Sequence, residues 1–352
     1  MRTRDNVRYG FGAAGRLWFE DSPPAGARGA APPAATAEAI FDLASVTKPF
    51  TALALARLAR AGTLRLDETL AQVLPELADT RSARAPIELL AAHRAGLEAH
   101  RVLHPPGDSA PIDPLGALLA CADGRREACA GEPPDGGFPP IYSDLGYVLL
   151  GAALARRGAA ELDEIVAREV TGPLGLGVAT ARAHRRRDPR FDERVVPTED
   201  VAFRGGVIRG AVHDDNAWTI ARDGMAGHAG LFGDAMSVAR LGVALLEALA
   251  DERPEWLSRD ELWPLVTPRP GGSLRAGFDG KSGEKPSSGA RFGPRTFGHL
   301  GFTGTSLWID PDAGLVGVLL TNRVHPTRAS DAIRRARPAA YDAIAEAMAQ
   351  AR

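Results

Sequence analysis

The chain has 352 residues, 45% of them hydrophobic, which is enough to fill a large core shared between two lobes. A net charge of -2 and a pI near 6.5 exclude the basic footprint of a nucleic-acid binder and offer nothing to an anionic membrane surface. No apolar run follows the N-terminal MRTRDNVRYG and no segment is apolar over the thickness of a bilayer, so the expectation is a cytoplasmic protein without a membrane partner.

In chain order, Val7 to Glu20 reads as strand broken by glycines, followed by a Pro/Ala loop from Ser22 to Ala35. Apolar spacing at Phe50, Leu53, Leu55 and Leu58 predicts a helix from Val46 to Ala61, with Pro49 tolerated in its first turn and Gly62 as its stop. From about Leu64 to Ala226 the pattern is loop-rich, with short helices at Pro86–His93, Leu115–Ala122, Asp144–Arg157 and Glu161–Glu169. Within it, RAHRRRDPRFDER reads as an exposed charged connection. Cys121 and Cys129 have neither metal-ligand spacing nor the number for a disulfide framework and read as ordinary thiols.

A helix is expected over Asp234–Leu249 and a mobile Gly/Ser/Pro loop over Pro268–Gly289. A hairpin follows, Gly304–Ile309 and Leu315–Asn322 around the turn Asp310–Gly314, and then a closing helix, Ala332–Ala349. Strands at both ends of a helical middle predict an α+β fold. Residues 1–63 and 227–352 would form a lobe with an antiparallel sheet flanked by helices. Residues 64–226 would form an inserted, mostly helical lobe, with a cleft between the two.

Of 42 basic residues, Lys48, Lys281 and Lys285 are the lysines. A lysine kept against such arginine usage marks a place where the amine must be able to give up its proton. In Ser45-Val46-Thr47-Lys48 the hydroxyl and the amine share one helix face. A desolvated lysine can take the serine proton, and a helix N-terminus aims free N–H groups at developing negative charge. Chance would supply roughly 0.1 such pairs in a chain of this composition, so the pattern needs partners.

Tyr142-Ser143-Asp144 precedes an apolar helix, where a tyrosine could accept the Ser45 proton and return it to a leaving group. The plainer reading makes Tyr142 a half-buried loop aromatic and Asp144 a helix N-cap. Gly298-His299-Leu300-Gly301-Phe302-Thr303-Gly304-Thr305 leads into the hairpin, and its small residues would let a ligand lie along a strand edge. Its alternative is a Gly-rich turn with His299 at the surface.

Competing motifs fail on context. Gly10 to Gly15 matches G-x-G-x-x-G without the preceding strand and following helix that a dinucleotide needs. His100 and His104 have helical spacing but no intervening Glu, and prolines follow at once, which argues against zinc. No G-x-S-x-G elbow is present. His213-Asp214-Asp215 and Gly227-His228-Ala229-Gly230 read as loop and turn, with His228 a candidate cleft wall.

The order and separation of these three elements resemble the S-x-x-K, Y-x-N and K-T-G/H-x-G signatures of the class C β-lactamase-like superfamily, which includes DD-peptidases and carboxylesterases. LASVTKPFTALALARLARAGTLRLDETLAQVLPEL resembles that superfamily's nucleophile helix and following loop, and IELLAAHRAGL its L-L-x-H-x-S-G-L segment. VPTEDVAFRGGVIRGAVHDDNAW…MAGHAGLFGDAMSVARL and GHLGFTGTSLWIDPDAGLVGVLLTN are similar to stretches of its esterase-like branch, and the likeness runs from about Phe41 to Asn322. It implies a β-lactamase/transpeptidase-like fold with Ser45 as nucleophile and Lys48 and Tyr142 sharing the acid–base work. The N–H groups of Ser45 and Phe302 would form an oxyanion hole, and Asp144, His299, Leu300 and Gly301 would line the substrate site.

Three departures bear on the substrate. Asp144 stands for the usual Asn, exchanging an amide donor for a charge that would stabilise protonated Lys48 and hand the base role to Tyr142. His299 stands for Lys and Leu300 for Thr, removing groups that hold a substrate carboxylate. Ala95 stands for a Ser in a turn, a change of small consequence. The expectation is a serine hydrolase forming an acyl-enzyme with a small-molecule carboxylic ester, without metal or cofactor. A β-lactamase or DD-peptidase is the alternative within the class. A non-catalytic penicillin-binding-like or sensor module is the alternative outside it. Nothing in the sequence sets an oligomeric state.

Overall fold

The computed structural model describes residues 38–103 and 113–350. The expected strand at Val7–Glu20, the Gly10–Gly15 motif and His104 lie outside the described residues.

The central element is α1 (Thr47–Arg60), close to the predicted span, and it is buried almost all round. Phe50, Leu53, Leu55 and Leu58 are joined in the core by Ala52, Ala54 and Ala56, whose small side chains let neighbouring helices approach. Each fully buried Phe or Leu contributes about 1.5–3 kcal/mol, so this helix is held by packing rather than by propensity. After α1 come α2 (Leu70–Val73), α3 (Ile87–Ala91) and α4 (Pro114–Ala122). Then α5 (Asp144–Gly158) and α6 (Leu162–Val166) lie directly against α1.

The run RAHRRRDPRFDER keeps most of its charges exposed, as expected, but it is not a mere connection. It folds into α7 (Ala181–Arg187) and α8 (Phe191–Arg194), because Phe191 is fully buried, stacked 5.0 Å from His184 and edge-on to Phe232 at 5.7 Å. Its charges are paired as well, Arg185 with Asp192 and Asp223 at 2.8 and 2.7 Å. The remaining helices are α9 (Asp215–Ala221), α10 (Ala235–Leu249), α11 (Arg259–Val266) and α12 (Ile333–Gln350).

Strands β1 (Phe41–Asp42), β2 (Ala179–Thr180) and β5 (Leu231–Gly233) form a small antiparallel sheet in the order β1-β5-β2, and β3 (Asp200–Val201) pairs with β4 (Gly206–Val207). The larger antiparallel sheet runs β6-β7-β8-β9: Asp279–Gly280, Phe297–Leu300, Ser306–Asp310 and Leu315–Leu319. Its register pairs Phe297 with Ile309 and Leu300 with Ser306. Side chains alternate faces along β8. Leu307 meets α10 at Gly242, while Trp308 joins Tyr341 of α12 on the other side. The fold is thus α+β, an antiparallel sheet flanked by helices together with a helical body.

Pro268–Gly289, expected to be mobile, is pinned to the body. Phe278 is buried and the buried Arg275 donates to the carbonyls of Val266 (2.5 Å) and Thr296 (3.3 Å). Among the described residues no helix is long and apolar enough to cross a membrane.

Candidate active site

Ser45 follows a tight bend between β1 and α1. The Leu43 amide donates to Leu231 O, and Ala44 then takes a left-handed conformation (φ 47°) before a 3-10 turn, Ala44–Val46, enters α1. That conformation costs an alanine about 1–2 kcal/mol and persists because its surroundings enforce it. One helical turn on, the wholly buried Lys48 places Nζ 2.9 Å from Ser45 Oγ.

The same Nζ donates to Tyr142 OH and to Asp144 Oδ1, both at 2.7 Å. Asp144 is therefore not the cap of α5. Ser143 is, its Oγ accepting from the Gly146 amide, and this frees the Asp144 carboxylate to reach Lys48. The Tyr142–Asp144 segment is held by His93, whose Nδ1 accepts from the Ser143 amide (3.0 Å) and whose ring lies 4.9 Å from that of Tyr142. Burial pushes the His93 pKa down to about 3, so it is neutral with its proton on Nε2.

Burial alone would favour a neutral Lys48. Asp144, and after it Tyr142, outweighs burial and the lysine pKa is raised. Burial likewise opposes the charge on Asp144, but Lys48 holds its carboxyl well below the usual carboxylate range. Asp144 Oδ2 lies 3.7 Å from Nδ1 of the half-exposed His100, a long contact, and the carboxylate raises the His100 pKa. Burial raises the Tyr142 pKa despite the opposing pull of Lys48, leaving a neutral phenol at rest.

His228 is no cleft wall. It is 1% exposed and sits behind the lysine, its Nε2 donating to Asp214 Oδ1 at 2.8 Å. Burial disfavours its charge, but Asp214 more than compensates and its pKa is raised.

The third element forms the opposite wall. Buried His299 donates from Nδ1 to Leu300 O at 2.8 Å, and burial, then Lys48, pushes its pKa to about 3, so it brings no cation here. Gly301 is required sterically. A Cβ there would strike Thr305 Oγ1 and lie 2.6 Å from Leu43 O. Phe302 is 47% exposed, with its ring stacked on His213 at 5.6 Å and the guanidiniums of Arg323 and Arg328 at 4.5 and 5.3 Å. Among the described residues, neither the Ser45 nor the Phe302 amide donates to another backbone group.

Ser45, Tyr142, Asp144, His299, Leu300, Gly301 and Phe302 line one cleft of about 990 Å³, with Lys48 buried beneath. Sequence reasoning named the Asp144 charge but missed the others that complete this cleft. Asp144, Asp214 and Asp215 are each paired, with Lys48, His228 and Arg204 respectively, and Arg328 is paired with the buried Glu199. Arg323, Arg334 and Arg337 also line the cleft and have no carboxylate partner among the described residues. Their signal in the sequence was lost in the chain's general abundance of arginine.

A family model described as Beta-lactamase matches residues 9–341. The chain belongs to the Beta-lactamase family. Within that family it is a serine hydrolase. It is 28% identical over 323 residues to a protein of Escherichia coli (strain K12) named "Putative D-alanyl-D-alanine carboxypeptidase", an alignment covering 84% of this chain and 71% of that one. Among solved structures it is similar to a β-lactamase from Mycobacterium bovis, with TM-score 0.56, 22% identity and coverage of 89% and 88% of the two chains. It is also similar to EstCE1, described as a hydrolase with promiscuous acyltransferase activity, with TM-score 0.61, 21% identity and coverage of 87% and 86%. At these identities the two structures speak for the Beta-lactamase fold and not for a substrate.

Proposed function

We propose that this Beta-lactamase-family hydrolase cleaves carboxylic esters through an acyl-enzyme on Ser45. One observation carries the reading: a single buried ammonium, Lys48 Nζ, contacts Ser45 Oγ, Tyr142 OH and Asp144 Oδ1 within 2.7–2.9 Å. In the form of the enzyme in which Tyr142 has already given its proton to solvent, the phenolate being stabilised by the Lys48 ammonium, Ser45 Oγ attacks the ester carbonyl and its proton passes to that phenolate. The tetrahedral oxyanion lies between the amides of Ser45 and Phe302. Tyr142 returns the proton to the departing alcohol, and water then releases the acid by the same steps in reverse roles.

The ester preference is supported by what the residues next to Ser45 lack. Neutral His299 and apolar Leu300 offer no cation or hydroxyl, and ionised Asp144 has no donor for a substrate amide. The test is a comparison of kcat/KM for p-nitrophenyl butyrate and a chromogenic cephalosporin. The ester is expected to turn over at least about tenfold faster, and a faster cephalosporin rejects the reading.

The role of Asp144 has a signed pH consequence. Its charge raises both Lys48 and Tyr142, so the active, deprotonated form of the unit gathers only as pH rises. Asp144→Asn removes that charge and should move the ascending limb of the kcat/KM profile to lower pH by about a unit. A limb that stays in place, or moves up, excludes Lys48 and Tyr142 as the titrating pair.

A second reading, hydrolysis of substrates ending in a carboxylate, is favoured by Arg323, Arg334 and Arg337 along the cleft. Guanidinium is the natural partner of a carboxylate. Under it, an ester carrying a distal carboxylate should show a KM several-fold lower than its methyl-capped analogue, and Arg334→Ala should remove the difference. Equal KM values for the two esters set this reading aside.

A further inference from the structure

The side chain of Asp42 takes no part in the chemistry above, yet it is 2% exposed and lies three residues before Ser45. Its two carboxylate oxygens grip two separate segments. Oδ1 accepts from the Ala44 amide at 2.8 Å, and Oδ2 accepts from the His213 amide at 2.7 Å. Its own carbonyl accepts from Thr303 Oγ1 at 2.8 Å, and the next carbonyl, Leu43 O, accepts from Thr305 Oγ1 at 2.9 Å. Gly301 N closes the loop onto Thr305 O at 2.8 Å. Asp42 thus joins three pieces of chain: the left-handed residue before Ser45, the turn that flanks Phe302 on both sides, and His213, whose ring stacks on Phe302.

We propose that Asp42 is a positioning residue, fixing the amides of Ser45 and Phe302 at the separation that receives the oxyanion. Burying a carboxylate is costly, and burial indeed raises its pKa, so a side chain here needs a return beyond general cohesion. Ala44 bears a steric penalty in its left-handed conformation, and the short Oδ1 contact to its amide holds it there. An asparagine cannot replace the carboxylate, because it presents one acceptor and one donor to two N–H groups.

The proposal rests on the roles given above to Ser45 and Phe302, and the experiment separates it from the ester reading. Asp42→Asn should lower kcat for p-nitrophenyl butyrate by about 100-fold with KM within about threefold, the magnitude of a lost oxyanion donor. The rate of Ser45 labelling by a fluorophosphonate should fall in parallel. Glycine adopts the left-handed conformation without penalty, so adding Ala44→Gly to Asp42→Asn should restore kcat about tenfold. A purely structural role predicts instead that Ala44→Gly restores stability, because relief of the left-handed strain exceeds the loosening of the unfolded chain, while kcat per folded molecule is moved by neither substitution.

The proposal is overturned if Asp42→Asn keeps kcat within about threefold of the parent, or if adding Ala44→Gly to it gives no recovery. Should Asp42→Asn fail to fold, Thr303→Val cuts another arm of the same tie and should cost about tenfold in labelling rate; no loss there also overturns it. A parent that labels at Ser45 but hydrolyses no ester defeats the ester reading alone, and the labelling rates still decide Asp42. A parent that does not label defeats both.

Discussion

Ser45→Ala should lower ester turnover by at least about 10⁴-fold, because without the hydroxyl no acyl-enzyme can form and only binding and the oxyanion donors remain. The fold should survive. Ser45 is partly exposed and its hydroxyl accepts from Lys48, which keeps Tyr142 and Asp144 as partners after the change. Stability should therefore fall by no more than about 1 kcal/mol, the net worth of one such hydrogen bond. Steady-state kinetics beside a urea denaturation curve checks both halves. Turnover within about tenfold of the parent would mean that another group is the nucleophile.

Lys48→Met should be damaging twice over. It removes the cation that stabilises the Tyr142 phenolate, so kcat should drop by about 10³-fold or more. It also leaves the Asp144 carboxylate, 2.7 Å from the lost ammonium, without its principal counter-charge. Removing one partner of a buried pair costs about 3–5 kcal/mol.

The linkage signs set where to measure. Asp144 is depressed, so its contribution is present above 3.8 and fades as pH falls below it; Lys48 is raised, so its contribution holds below 10.5 and fades above. At about pH 7 both are charged and the full penalty should appear. The double variant Lys48→Met, Asp144→Asn should regain most of the stability and none of the activity, since it removes both buried charges together. A Lys48→Met protein as stable as its parent would show that Asp144 finds compensation elsewhere, with His100 at 3.7 Å the nearest candidate.

Much of this was legible in the chain itself. Helical spacing from Phe50 to Leu58 marked α1, and the Asp310–Gly314 turn marked the β8–β9 hairpin, because periodicity and turn chemistry are local properties. Ser45 and Lys48, one helical turn apart, could be paired for the same reason. Their association with Tyr142 and with the segment from His299 to Phe302 came through resemblance, as no local rule brings residues 94 positions apart to 2.7 Å. Local reasoning failed where one buried side chain overruled composition. Phe191 turned a charged run into two packed helices, and Arg275 and Phe278 anchored a Gly/Ser/Pro stretch.

By itself, then, the sequence determined which residues are chemically able to act: a serine, an uncommon lysine, a tyrosine and a glycine-rich strand edge. The tertiary structure alone decided their charge states and their company. Whether Lys48 is a base or a fixed cation depends on Asp144 lying 2.7 Å from it while the lysine itself is wholly buried. Whether His299 is charged depends on how deeply it is buried. Both are matters of distance and dielectric in folded space, and the order of residues along a chain carries neither.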